Sequence, residues 1–256
     1  MPKYIDTHSH LYDNAYGNTS PEAVRRAVEC GVTKIVFPDT DESVRDAMFS
    51  LASLFPDNVF PCIGLHPTEL GPDWTSQLEA VLKYSGRKVY AVGEIGMDFH
   101  WEGYDEAVQE EVFRAQLDLS LQLGLPVIVH NREATGRILS IISDYRGRGL
   151  RGVLHAFTGS YETFSEIQRY GDWFVGIGGV LTFRKAAIAE TVRHIPIDRI
   201  VLETDSPYLT PAPYRGLRNE SALIPVIAQK LADLKDLTLE KVASHTTSNA
   251  EKLFGI

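Results

Sequence analysis

The sequence predicts an α/β protein, a single (β/α)8 barrel of TIM type spanning residues 1–256 with an extra C-terminal helix. Three observations predict it. Short apolar runs rich in β-branched residues alternate with longer stretches of helical periodicity along the whole chain, as in parallel strands joined by crossover helices. There are eight such runs, and 256 residues is close to the roughly 250 of a one-domain barrel. The first run leads into His-Ser-His, not the glycine-rich phosphate turn expected of an open doubly wound sheet.

The strand runs are residues 4–7, 33–37, 59–64, 89–94, 126–129, 152–154, 173–177 and 200–203. After the first, Ser20 as N-cap and Pro21 in the first turn mark a helix start: the hydroxyl satisfies a free amide, and proline lacks only an N–H with no partner there. The longest helix is expected over 104–123, where Val108, Val112, Ala115, Leu119 and Leu123 recur at helical spacing. Gly124 stops it and Pro126 opens the next strand. Its acidic first turn (Asp105, Glu106, Glu110, Glu111) reads as solvated charge favoured by the helix dipole. A last helix over 239–254 follows the eighth unit.

Composition narrows the function classes. The opening MPKYIDTHSH has no apolar h-region, and no stretch is long and apolar enough for a membrane span, so a cytoplasmic protein is expected. Two cysteines are too few for a disulfide framework or a thiolate zinc site, and both Cys30 and Cys62 read as small reduced core residues. A net charge of −9 argues against a broad basic face for non-specific nucleic-acid binding, though not against a polyanion held locally by metals and a few arginines.

The histidines are placed unevenly. His8, His10, His66, His130 and His155 stand at or just past the ends of strand runs, on what becomes the catalytic face of such a barrel. Residues two apart on a strand share a face, so Asp6, His8 and His10 project together, as do Val92 and Glu94, Ile128 and His130, Val153 and His155, and Val201, Glu203 and Asp205. A lone strand-end histidine is commonly structural, and a lone buried carboxylate is commonly an ion-paired core residue. Six imidazoles and carboxylates ending five strands of one barrel (His8, His10, Glu94, His130, His155, Asp205) are the donor mix of a hydrolytic divalent-metal site.

These positions fall within eight ordered blocks: IDTHSHL at the start, GLHP at 64–67, AVGEIGMDFH at 91–100, PVIVHNREA at 126–134, HAFTGS at 155–160, GIGGVLTF at 176–183, VLETDSPYLTPAPYRGLRNE at 201–220 and the terminal TTSNAEKLF. Through them the chain resembles, nearly end to end, the TatD family of metal-dependent deoxyribonucleases within the wider amidohydrolase-like barrels. Departures are small: Met97 for the usual Leu, Phe99 for a frequent Tyr, and Ser221 for a common Pro. The resemblance implies two divalent cations (Mg²⁺, Mn²⁺ or Zn²⁺), one held by His8, His10 and Asp205, the other by His130 and His155, with Glu94 bridging. Some relatives bridge their metals with a modified lysine at the end of strand four; here only Glu94 is available, which favours phosphodiester cleavage.

The implied reaction is hydrolysis of DNA from its ends, with no obligate protein partner and a monomer as the default. Asp205 would orient or deprotonate the attacking water. His66 either donates to a phosphate oxygen or leaving group, or fixes the 64–67 turn. Asp6 and Glu203, one layer deeper, would orient ligand imidazoles. Arg132, Arg215 and Arg218 are candidates for phosphate contact, with surface placement as the alternative. Phe99, Trp101, Phe157, Tyr208 and Tyr214 lie in rim loops where bases would stack. Two competing readings keep the site: a hydrolase of a small phosphoester or of an ester on a tRNA acceptor end, and a non-catalytic interaction protein stabilised by its metals.

Overall fold

Each apolar run forms a strand, and the helical stretches between them pack outside. In the computed structural model, which describes residues 2–256, the strands are β1 (Tyr4–Asp6), β2 (Val32–Phe37), β3 (Val59–Pro61), β4 (Val92–Asp98), β5 (Val127–Arg132), β6 (Arg151–Leu154), β7 (Asp172–Ile177) and β8 (Ile200–Leu202). Every pairing is parallel, in ladders β1-β2-β3 and β4-β5-β6-β7-β8. Single bridges join the ladders at both seams, Ile63 to Val92 and Ser9 to Ser206, and the Thr7 amide donates to the Leu202 carbonyl at 2.9 Å.

The helices are α1 (Ser20–Glu29), α2 (Glu42–Leu54), α3 (Trp74–Tyr84), α4 (Glu106–Leu123), α5 (Thr135–Ser143), α6 (Tyr161–Ile167), α7 (Ile188–His194), α8 (Ile224–Lys235) and α9 (Leu239–Phe254). Asp105 caps α4 by accepting from the amides of Ala107 and Val108, and Gly124 ends it in the left-handed region that favours glycine. The extra C-terminal helix is present, and its position explains it. One inward residue from each strand (Ile5, Val36, Phe60, Ile128, Val153, Phe174 and Val201, with Ala91 just before β4) forms an inner apolar cluster, and Ala250, Leu253 and Phe254 of α9 pack onto it. Apolar packing and α9 thus fill one part of the interior; polar side chains line the other.

Four local expectations are corrected. Ser20 is the first residue of α1, and Thr19 takes the cap position after a short 3-10 turn at Gly17–Thr19; the Ser20 hydroxyl donates to the Gly17 carbonyl at 3.1 Å. Cys30 is exposed, because it follows α1 where the chain turns through Gly31, whereas Cys62 is buried as expected. β4 runs past Glu94 to Asp98, because a register shift between Val92 and Ile95 lets it resume pairing with β5 from Ile95–Val129 to Asp98–Arg132. Glu94 and His130 therefore sit within strands and not at their ends.

Candidate metal centre

Four of the predicted imidazoles and His66 converge on one predicted carboxylate, Glu94. Glu94 is buried, and its two oxygens face different histidines. Oε2 lies 3.1 Å from His8 Nε2 and 3.8 Å from His10 Nε2. Oε1 lies 2.8 Å from His130 Nδ1 and 3.4 Å from both His66 Nε2 and His155 Nε2. Asp205 Oδ1 stands 3.7 Å from the Nε2 atoms of His8 and His10, and the His155 ring stacks on that of His8 with centroids 3.6 Å apart.

The surrounding bonds decide which ring nitrogens are free. Tyr12 donates its hydroxyl proton to the Pro38 carbonyl, so at 2.8 Å its oxygen accepts from His10 Nδ1, and His10 Nε2 is left as a bare lone pair. Asp98 Oδ2 accepts from His130 Nε2 at 2.9 Å, which turns His130 Nδ1 toward Glu94 Oε1 at 2.8 Å. His66 carries its proton on the other nitrogen from His10: its Nδ1 accepts the Thr68 amide at 3.2 Å, so the neutral ring bears its proton on Nε2, pointed at Glu94. His66 thus fixes its own turn and offers a donor to the site.

Tyr12 and Asp98 were not among the sequence-predicted residues. Each shares a strand-type spacing with a predicted ligand, Tyr12 two positions after His10 and Asp98 four after Glu94, and that was the available signal. Asp6 corrects an expectation. It touches no imidazole; its oxygens accept the amides of His8 (3.2 Å) and Thr204 (3.0 Å) and the Thr204 hydroxyl (2.6 Å), tying β1 to β8. Glu203 does stand by a predicted ligand imidazole, with Oε1 3.3 Å from His155 Nδ1 while also accepting the Ala156 amide at 2.5 Å. Its carboxylate lies over Gly176, where any Cβ would come within 2.0 Å of Oε2. Asp205 turns off β8 at φ +56, a left-handed conformation that a short polar side chain tolerates better than most.

The donor set fits divalent cations. His130 Nδ1 and Glu94 Oε1 face each other at 2.8 Å, and the Nε2 atoms of His8 and His10 are 3.0 Å apart. Ligands about 2.0–2.2 Å from a shared cation lie roughly 3.0–3.5 Å from one another. Three overlapping groups keep their ligand atoms within 4.8 Å: His8–His10–Glu94, His8–His155–Asp205 and His66–Glu94–His130. His155 thus joins His8 and Asp205 as well as facing Glu94. Electrostatics reflect the same crowding. Burial alone would raise the Glu94 carboxyl, but the imidazoles of His155, His8, His66 and His130 hold it well below the usual carboxylate range. Burial would lower His155, yet Glu94 and Glu203 push it up to about 10.

The predicted arginines separate. Arg132 is exposed and stacks 5.2 Å over Trp101; Arg215 stacks 4.0 Å over Phe183. Arg218 lies 4.3 Å over Tyr16 and donates to the Ala15 carbonyl and Thr19 hydroxyl, which fastens the loop after β8 to the loop after β1. Trp101, Tyr208 and Tyr214 are exposed, whereas Phe157 is buried.

Parallel strands that gather imidazoles and carboxylates around one buried carboxylate define a metal-dependent hydrolase. The chain belongs to the TatD related DNase family, whose model matches residues 5–255. It is 37% identical over 98% of its length to the uncharacterized metal-dependent hydrolase YabD of Bacillus subtilis, covering 99% of that protein. It is 31% identical to the 3'-5' ssDNA/RNA exonuclease TatD of Erwinia tasmaniensis, over 98% of this chain and 100% of that one. Among solved structures it is similar to YjjV, a TatD homologue from Escherichia coli K12, with a TM-score of 0.90, 26% identity, and coverage of 99% of this chain and 98% of that one.

Proposed function

We propose that this hydrolase removes nucleotides from the ends of single-stranded DNA, with two divalent cations held on either side of Glu94. The division of the Glu94 oxygens carries the reading: Oε2 toward His8 and His10, Oε1 toward His130 and His155. Asp205 completes the first set and the Asp98-held ring of His130 the second. Bound there, such cations supply Lewis-acid polarisation of a phosphoryl oxygen and a water acidic enough to attack near neutral pH.

The side chains do the rest. The Asp205 side chain is 17% exposed and that of Glu94 4%, so Asp205 would be the carboxylate that meets water and takes its proton, while the more deeply buried Glu94 would help hold the cations. His66 Nε2–H donates to a phosphate oxygen or to the departing hydroxyl. Outside, the exposed Trp101 and Arg132 pair offers a base-stacking face beside a guanidinium. The name of the Erwinia relative supplies the expected 3'-to-5' direction.

The test is release of mononucleotides from end-labelled single strands with Mg²⁺ or Mn²⁺, comparing labels at the two ends. Stepwise release from the 3' end, abolished in Asp205→Asn, is expected. No release with either ion, or equal release by Asp205→Asn, would overturn the reading; faster turnover of a small ester than of DNA would replace its substrate.

A further inference from the structure

Between β3 and β4 the backbone pairing is short, beginning where the Tyr90 amide donates to the Pro61 carbonyl at 3.1 Å and ending at Ile63. Ile63 makes the one bridge: its amide donates to the Ala91 carbonyl at 3.2 Å and its carbonyl accepts from the Gly93 amide at 2.8 Å. β4 then shifts register and turns to pair with β5. Two residues beyond Ile63, the Leu65 amide and carbonyl face the same way with no strand opposite. The Asp98 amide and carbonyl, on the edge of β4 away from β5, have none either. Unpaired buried backbone groups are costly, so something must satisfy them.

Two glutamines of α4 do so. Gln116 is 0% exposed; its Oε1 accepts from the Leu65 amide at 2.8 Å and its Nε2 donates to the Leu65 carbonyl at 3.1 Å. Gln109 is 1% exposed and treats Asp98 identically, at 2.8 and 2.9 Å. A primary amide offers one acceptor and one donor side by side, which copies the edge of a β-strand. Seven residues are close to two helical turns, about 10.5 Å of rise, so both amides leave one face of α4.

Both clamps end at one half of the metal centre. Leu65 precedes His66, and the Asp98 side chain holds His130 through Nε2. The other half is tied elsewhere: the His8 carbonyl accepts from the Asp205 amide at 2.9 Å, and the Ser9 and Ser206 hydroxyls meet at 2.7 Å. We infer that Gln109 and Gln116 are positioning residues that set the His66–Glu94–His130 half, a role that rests on the metal reading above and that neither glutamine would show by touching substrate or ion.

The experiment separates the halves. Metal-free protein is titrated with Zn²⁺, a diamagnetic probe, while the ring nitrogen signals of His10 and His130 are followed by NMR. Gln109→Met and Gln116→Met replace each amide with an apolar side chain of similar length, and Leu119→Ala removes a buried α4 side chain outside the clamps as a stability control. The expected result is about tenfold weaker binding reported by His130 in the glutamine variants, with His10 unmoved, and a shifted Nε2 signal of His130 before any metal is added. Leu119→Ala should change neither ring at a comparable loss in Tm. Wild-type behaviour of His130 in both glutamine variants, or an equal effect of Leu119→Ala, would overturn the inference. If no variant and no wild-type protein bound Zn²⁺, the metal reading would fail while the metal-free His130 signal still judged the clamps. Should the methionine variants not fold, Gln109→Asn and Gln116→Asn, with an amide too short to reach, take their place with the same expected and contrary results.

Discussion

Tyr12 stands 2.8 Å from His10 Nδ1 and has already given its own proton to the Pro38 carbonyl. His10 therefore has one tautomer available, the one that turns a lone pair toward Glu94 and Asp205. Tyr12→Phe should keep the fold, because the ring still packs against Phe37, 5.3 Å away between centroids. It should weaken cation binding at the His8–His10 half by about tenfold. Calorimetric titration of metal-free protein checks this; unchanged affinity would mean that the hydroxyl does not orient the ring.

Gly176 makes room for Glu203. A methyl there would meet Glu203 Oε2 at 2.0 Å, while at Gly178 the nearest atom, the Glu203 carbonyl oxygen, is at 3.4 Å. Gly176→Ala should therefore push the carboxylate off His155 and lower kcat/KM by about tenfold or more, with Gly178→Ala close to wild type. Steady-state kinetics on both variants, alongside circular dichroism, test the contrast.

The outer stacking face makes a different demand. Trp101 is 54% exposed and covered on one side by Arg132. Stacking of one base contributes about 1–3 kcal/mol, so Trp101→Ala should raise KM for single-stranded DNA roughly fivefold or more, leave kcat within twofold and leave Tm unchanged. A fall in kcat at constant KM would place Trp101 in the chemistry instead.

At the far side of β7, Asp172 pairs with Arg199 and, at 2.8 Å, with Lys252 of α9. Partial burial raises its carboxyl, but Lys252 and Arg199 outweigh burial and hold it below the usual range. A carboxyl depressed in the folded state contributes stability above its unfolded value, about 3.9, and loses it as pH falls through the folded one. Asp172→Asn should thus lower Tm by a degree or two at pH 7, a modest effect because the pair is partly solvated, and the gap should close below about pH 4. Thermal melts across that range measure it.

Most of this was legible in the residues. Eight parallel strands, the long helix ended by Gly124 and the terminal helix follow from periodicity and stop signals, and the strand-end histidines announced the site because their spacing survives folding. What escaped depended on departures from regularity. The register shift after Val92 moved Glu94 into the middle of a strand and carried Asp98 up beside His130, which alternation alone does not foresee. Tyr12 reads as an ordinary aromatic until the Pro38 carbonyl is seen beneath it. Gln109 and Gln116 look like exposed helix positions by type, yet they are buried because the seam between β3 and β4 has backbone groups to satisfy.

The proposed reaction needs Glu94 to stand between two cations. Anomalous diffraction from crystals grown with Mn²⁺ measures that directly. Two peaks are predicted, one within about 2.3 Å of Glu94 Oε2 and the Nε2 atoms of His8 and His10, the other at a similar distance from Glu94 Oε1 and His130 Nδ1. A single peak, or two that leave Glu94 uncoordinated, would contradict it.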